Sequence, residues 1–285
     1  HICETKALWE EYVPRAYREQ TIRIERSADG QDRTWVNGVI REDLLPARAC
    51  VPNGMDDPDN PPTWSDITPG SHDGAARVAV LDEEGIERSL LFPSMYLLSG
   101  DIADVEVAAA ACHAYNEWIS DMCRDGSGRL DAVGLVPLQS VDAATKEVAH
   151  IAQLGLKGVA FRPERYNGMA LHDEALAPFW NAVAEQGLFA AVHGSFGSHM
   201  PSFANSRYEN TFFTHMICHP FEQMAGCLDI VGGGVLQRHP DLRVAFLESG
   251  LGWLEYWLGR MDEHFEVMGA MVPWLTRPPS ELFKE

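Results

Sequence analysis

His193 stands at the end of a short apolar run, 188–192, and is followed by Gly194 and Ser195. An imidazole that leaves a buried strand at its end can offer a neutral nitrogen to a transition metal. A rim histidine that only hydrogen-bonds is the plainer alternative. A second apolar run, 242–247, ends in Glu248, ahead of Ser249 and Gly250. A carboxylate there is costly unless it is paired or close to a cation. Beside a divalent ion it can serve as a ligand or take a proton from water or substrate. Pairing with Arg162 or Arg260 would be its structural use. Arg162 closes a third run, 158–161, and a permanently charged bidentate donor suits a substrate carboxylate. Glu164 or Glu248 could equally neutralise it. His215 and His219 are spaced as a zinc pair on a helix would be, but Pro220 argues against one continuous helix. His219 can act as a general acid or base, or line a pocket, or simply start a helix. His199, His172 and His239 read as loop or turn histidines. His1 leads into Ile2, Cys3, Glu4 and Trp9, a run unlike a purification tag.

These side chains can meet only if a scaffold brings the strand ends together. Apolar runs at 88–92, 130–138, 158–162, 188–193 and 242–248 read as strands, several closed by proline. Between and around them, helical periodicity predicts helices over 75–84, 101–124, 143–154, 173–185, 221–231 and 252–265. The triple glycine 232–234 ends one of these. Strands alternating with helices imply a parallel sheet with crossover helices, and nearly all-apolar strands imply cover on both faces. No G-x-G-x-x-G or P-loop follows any strand, so a (β/α) barrel is favoured over a nucleotide-binding doubly wound sheet. In such a barrel the reactive side chains sit at the C-terminal strand ends. Residues 73–285 are read as this barrel. Residues 1–72, with short helices within 6–19 and an Asp/Pro-rich stretch at 56–62, read as an irregular insertion that caps it. The whole is taken as a single domain.

Bulk properties narrow the function. The chain has 285 residues, 46% apolar and 22% charged, enough to bury a sizeable core. A formal net charge of -20 repels phosphate backbones and anionic headgroups, which argues against nucleic acid or membrane partners. The longest apolar runs fall far short of a membrane span. Six cysteines without a C-x-x-C pair read as reduced, mostly buried thiols, as in a cytoplasmic enzyme.

The runs 134–139 (Gly-Leu-Val-Pro-Leu-Gln), 158–163 (Gly-Val-Ala-Phe-Arg-Pro) and 192–194 (Val-His-Gly) resemble the amidohydrolase-related family. That family includes aminocarboxymuconate semialdehyde decarboxylase and the dihydroxybenzoate decarboxylases. The segment 219–224, the run 233–242, Phe246 to Gly250 with Trp253, and 259–262 extend the likeness over most of 80–265. The resemblance implies a (β/α)8 barrel of TIM type and one divalent metal, with zinc the first expectation and manganese the second. It matches His193 to the fifth-strand ligand and His1 to the second ligand of a first-strand D-x-H-x-x-E motif. The family's decarboxylases carry a catalytic His where this chain has Glu248, although some branches carry Glu. By the family's count, the first strand and the last two, with an Asp ligand, are expected beyond the two ends of this sequence. The resulting expectation is a metal-dependent hydrolase acting on a small organic acid, amide, ester or C–C bond. The alternative is a non-oxidative decarboxylase of an aromatic or enoic acid. Glu248 and His219 would be catalytic, Arg162 would bind a substrate carboxylate, and a homodimer is the expected assembly.

Overall fold

Residues 1–72 hold more regular structure than their uneven composition predicts. The computed structural model describes residues 1–42, 44–51, 54, 61–195, 199–203 and 207–283. Most of the Asp/Pro-rich stretch, residues 56–60, lies outside the described residues. Strands β1 (Arg23–Arg26), β2 (Asp32–Val36) and β3 (Val39–Arg41) form an antiparallel sheet in that order. The β2–β3 turn is Asn37-Gly38, both with positive φ of 55° and 73°, which is the strongest two-residue hairpin signal. Sequence reading passes over these strands because charge, not apolar alternation, fills them. Arg26 pairs with Asp32 at 3.1 Å and Arg33 with Glu42 at 3.2 Å, while the Arg23 guanidinium lies 4.7 Å over the Trp35 ring.

After the short helix α1 (Pro46–Cys50), the alternating rhythm begins at α2 (Gly74–Glu84). Asp73 caps α2 by accepting from the Ala76 N–H at 2.7 Å, and Gly85 ends it in the left-handed conformation at φ 68°. Strand β4 (Ser89–Leu91) follows, then a 3-10 turn, Met95–Asp101, and the long helix α3 (Val105–Asp125). That helix starts four residues later than its periodicity implies, because Asp104 caps the Glu106 and Val107 N–H groups. Then come β5 (Leu130–Leu135), α4 (Val141–Gln153), β6 (Gly158–Phe161), α5 (Ala177–Glu185) and β7 (Phe189–His193). The chain continues through α6 (Thr211–Cys218), α7 (Pro220–Cys227), α8 (Val235–Arg238), β8 (Arg243–Leu247), α9 (Leu254–Met268) and α10 (Pro279–Phe283).

Among the described residues, β4 to β8 form one five-stranded sheet, all parallel, with each strand beside the next in sequence. This is the sequential βα order of a barrel wall, as the strand–helix alternation predicts. Phe161 of β6 meets Phe179 and Trp180 of α5 at ring distances of 5.9 and 5.7 Å, which fixes that helix on the sheet. Register places the chemistry: His193 is opposite Leu247, so Glu248 leaves β8 one residue beyond the histidine. All six cysteines are unpaired, four of them buried, and no helix among the described residues is long and apolar enough to cross a membrane.

Candidate metal centre

The first residues of the chain lie against the end of β4. The Ile2 N–H donates to Phe92 O at 3.0 Å, and the Ser94 hydroxyl donates to Ile2 O at 2.6 Å. This pairing brings His1 to the sheet's C-terminal edge, where its Nδ1 contacts Pro93 O at 2.6 Å. His193 has the same arrangement, with Nδ1 on Gly194 O. A ring whose Nδ1–H is given to a carbonyl keeps Nε2 as a free lone pair, the usual way a protein prepares a metal-binding imidazole. The two Nε2 atoms are 3.1 Å apart. Glu248 Oε2 lies 3.0 Å from that of His193 and 3.4 Å from that of His1. A tetrahedral ion with bonds of about 2.0–2.1 Å needs donors about 3.3 Å apart, so this set fits a cation at its centre. Without a cation or protons between them, lone pairs and a carboxylate this close repel one another.

Glu248 sits at φ 56°, a left-handed conformation that a non-glycine residue adopts at a cost of about 1–3 kcal/mol. The strain turns its carboxylate into the three imidazoles instead of toward Arg162 or Arg260. Its Oε1 lies 3.7 Å from His219 Nε2. When protons take the place of a cation on the two Nε2 atoms, hydrogen bonds from His1 and then His193 hold its carboxyl well below the usual carboxylate range. Burial pushes the His219 imidazole down to about 4, only partly offset by Glu248. His219 occupies the break between α6 and α7, where Pro220 begins a new helix as its chemistry requires. Gly194 allows this approach, since a Cβ there would meet Cys218 O at 2.8 Å and His219 Nδ1 at 3.0 Å. That Nδ1 is buried with no hydrogen-bond partner. His215 still faces the site across the helix break, and with His219 and Glu248 it forms a second group of possible metal donors.

A cleft of about 660 Å³ opens over these groups. Its walls include Leu44 and Leu45, Met95 and Leu97, and Phe212, with Arg48 among its polar lining. Arg162 is not among the lining residues. It is 1% exposed, engaged by Glu164 and 3.6 Å from Asp101, so the ion-pair alternative describes it better than the cleft role. Sequence reading missed Arg48, which lies in a segment without a period. It also gave no role to Glu4, although the glutamate of the D-x-H-x-x-E motif falls on that residue.

Glu222 is a further buried carboxylate behind the cleft. It accepts from the Phe203 N–H at 2.5 Å, and burial, aided by Glu164 and opposed by Arg162, pushes its carboxyl up to about 7. A carboxyl whose folded value is raised costs stability as it ionises, so the penalty grows from about pH 4.5 to pH 7 and is complete above that. Glu222→Gln keeps an acceptor for Phe203 and has no such titration. Thermal melts are expected to show the variant gaining on the parent at pH 8 and matching it near pH 4. An equal difference at both values would contradict the burial argument.

The comparisons agree with this architecture. The amidohydrolase family profile matches residues 51–285. A curated relative, 2-amino-3-carboxymuconate-6-semialdehyde decarboxylase of Dictyostelium discoideum, is 22% identical over 203 residues, covering 71% of this chain. The chain spans 54% of that relative's length. Among solved structures, an amidohydrolase from Mycobacterium avium subsp. paratuberculosis K-10 superposes with a TM-score of 0.79 at 18% identity, over 100% of this chain and 79% of that one. 5-Carboxyvanillate decarboxylase from Sphingomonas paucimobilis gives 0.61 at 22% identity, covering 73% and 61%. A dihydroxybenzoic acid decarboxylase from Polaromonas sp. JS666, with bound manganese and 2-nitroresorcinol, gives 0.59 at 20% identity, covering 73% and 64%. With its sequential parallel sheet and a profile match across most of its length, the chain belongs to the amidohydrolase family.

Proposed function

We propose that this chain carries the centre of a metal-dependent hydrolase for a small organic acid, amide, ester or C–C bond next to a carbonyl. The observation behind the reading is the convergence of His1 Nε2, His193 Nε2 and Glu248 Oε2 within 3.0–3.4 Å of one another below an open cleft. His1 and His193 would hold one divalent cation, zinc or manganese. The manganese in the Polaromonas decarboxylase favours the second metal as much as the nitrogen-rich donors favour the first. Such a cation supplies Lewis acidity, which polarises a substrate oxygen and acidifies water.

The chain's own groups do the rest. Glu248, turned inward by its strained backbone, orients a water and accepts its proton. His219, close to Glu248 Oε1, passes that proton to the leaving group. Arg48 lines the same cleft and supplies a cation for a substrate carboxylate, a role for which Arg162 is too deeply buried. Leu44, Leu45 and Phe212 shield the reacting atoms from bulk water. The six unpaired thiols fit a reducing compartment such as the cytoplasm.

Non-oxidative decarboxylation is the second reading, favoured by the names of the relatives. There the bond from carbon to carboxylate breaks, carbon dioxide leaves, and His219 delivers the proton that replaces it. Turnover of small aromatic and enoic acids in ¹⁸O-labelled water separates the two. Label in the product supports hydrolysis, and carbon dioxide release with solvent hydrogen on carbon supports the lyase. Arg48→Gln is expected to raise KM for the acid roughly tenfold to a hundredfold, the loss of one charge-assisted contact, with little change in kcat. An unchanged KM would remove Arg48 from the site.

A further inference from the structure

Away from the cleft, helices α3 and α4 bring four donor side chains together on the outer layer of the barrel. His113 and Glu117 are four residues apart on one face of α3, and Glu147 and His150 are three apart on the facing side of α4. His113 Nδ1 lies 3.3 Å from Glu147 Oε2, and His150 Nε2 lies 3.0 Å from Glu117 Oε1. The two imidazoles are stacked, with centroids 4.2 Å apart. One donor atom each from His113, Glu147 and His150 falls within 4.8 Å of the others. His150 Nε2 is buried and makes no well-aligned hydrogen bond despite its carboxylate neighbour. Glu147 is itself oriented, because the fully buried Asn116 donates to its Oε1 at 2.8 Å and to Leu135 O at 2.9 Å. Ion pairs at a surface contribute about 0–1 kcal/mol, so stability alone gives little reason for two histidines and two glutamates to converge.

We propose that His113, Glu147 and His150 form a second metal site that takes a zinc-type divalent transition ion. Two imidazoles with one carboxylate make the nitrogen and oxygen set such ions prefer, and offer too few oxygens for calcium. Asn116 is the outer-shell partner that holds Glu147 in place, as supporting groups do at metal sites. A cation there cross-links α3 to α4 and, through Asn116, to the end of β5. None of these residues lines the cleft, so the site stands apart from the chemistry proposed there.

The test is zinc content per chain after dialysis against buffered zinc, measured by elemental analysis. The full chain is compared with the double variant His113→Gln/His150→Gln. The parent is expected to hold one zinc more than the variant, with pocket metal and turnover unaltered. In a His193→Ala background, zinc should still raise Tm, and this rise should vanish when the two glutamines are added. Cobalt loading of that background should give the visible absorption of a tetrahedral site. Because His113 is half exposed, His113→Gln alone keeps the fold and should weaken zinc binding at least about tenfold. Equal zinc content in parent and double variant, or a Tm rise that survives both glutamines, overturns the proposal.

Discussion

His193→Ala is expected to remove one metal equivalent per chain and to lower turnover at least about a thousandfold, roughly 4 kcal/mol of barrier. The imidazole is 2% exposed and anchored on Gly194 O, with Nε2 facing both His1 and Glu248. In the proposed centre, losing it takes away a ligand and unfixes the two groups that face it, so more than one contact is lost. The effect on stability should separate from the effect on activity. Deleting a buried ring normally destabilises by about 1–3 kcal/mol. Here the deletion also relieves crowding among lone pairs and a carboxylate, so the metal-free variant should melt close to the metal-free parent. With metal in hundredfold excess over the Kd of the pocket site, the parent should gain about 2.7 kcal/mol more than the variant. Elemental analysis, turnover and melts with and without chelator check all three. A variant with full metal content and retained turnover would show that the cation, if one binds, is held elsewhere.

How much of this was open to sequence reading depends on what kind of force places each residue. The parallel sheet was legible because burial on both faces leaves nearly unbroken apolar runs, such as 188–192 and 242–247, each bounded by a breaker or a polar residue. His193 and Glu248 were legible for the same reason, being the first polar groups after those runs. The antiparallel sheet in residues 23–41 was not, since its strands are held by Arg–carboxylate pairs that resemble a solvated charge cluster. Asn37-Gly38 was the available signal. The role of Arg162 was ambiguous in principle: the rule that strand ends face the mouth competes with a glutamate two residues away, and the near neighbour wins. The His113–His150 cluster left no trace either, because its two halves lie on separate helices whose packing no single-chain pattern encodes. His219 could be suspected but not oriented. Its position depends on Gly194 allowing two backbones to approach, a tertiary fact.

Glu4→Ala is expected to cost about 3–5 kcal/mol of stability and to weaken pocket metal binding about tenfold to a hundredfold. The side chain is fully buried. Its Oε1 accepts from the Ser94 and Tyr96 N–H groups at 3.0 and 3.1 Å, and its Oε2 from Met95 at 3.0 Å. These three donors open the 3-10 turn Met95–Asp101, so Glu4 caps it from a distant part of the chain. Burial raises the Glu4 carboxyl above its ordinary range, against the pull of those N–H groups. Removing the carboxylate ends the desolvation cost but leaves three N–H groups dry and unpaired, each worth about 1–3 kcal/mol and not fully additive. The same loop holds His1, through Phe92 O, Pro93 O and the Ser94 hydroxyl, so loosening it should blur the position of the first imidazole. Glu4→Gln retains one acceptor and turns an amide N–H₂ toward the remaining donor, so it should fall between parent and alanine. Denaturant midpoints and metal titrations read the two effects separately. A Glu4→Ala midpoint equal to the parent's would refute the capping role, and lost stability with unchanged metal affinity would detach His1 from it.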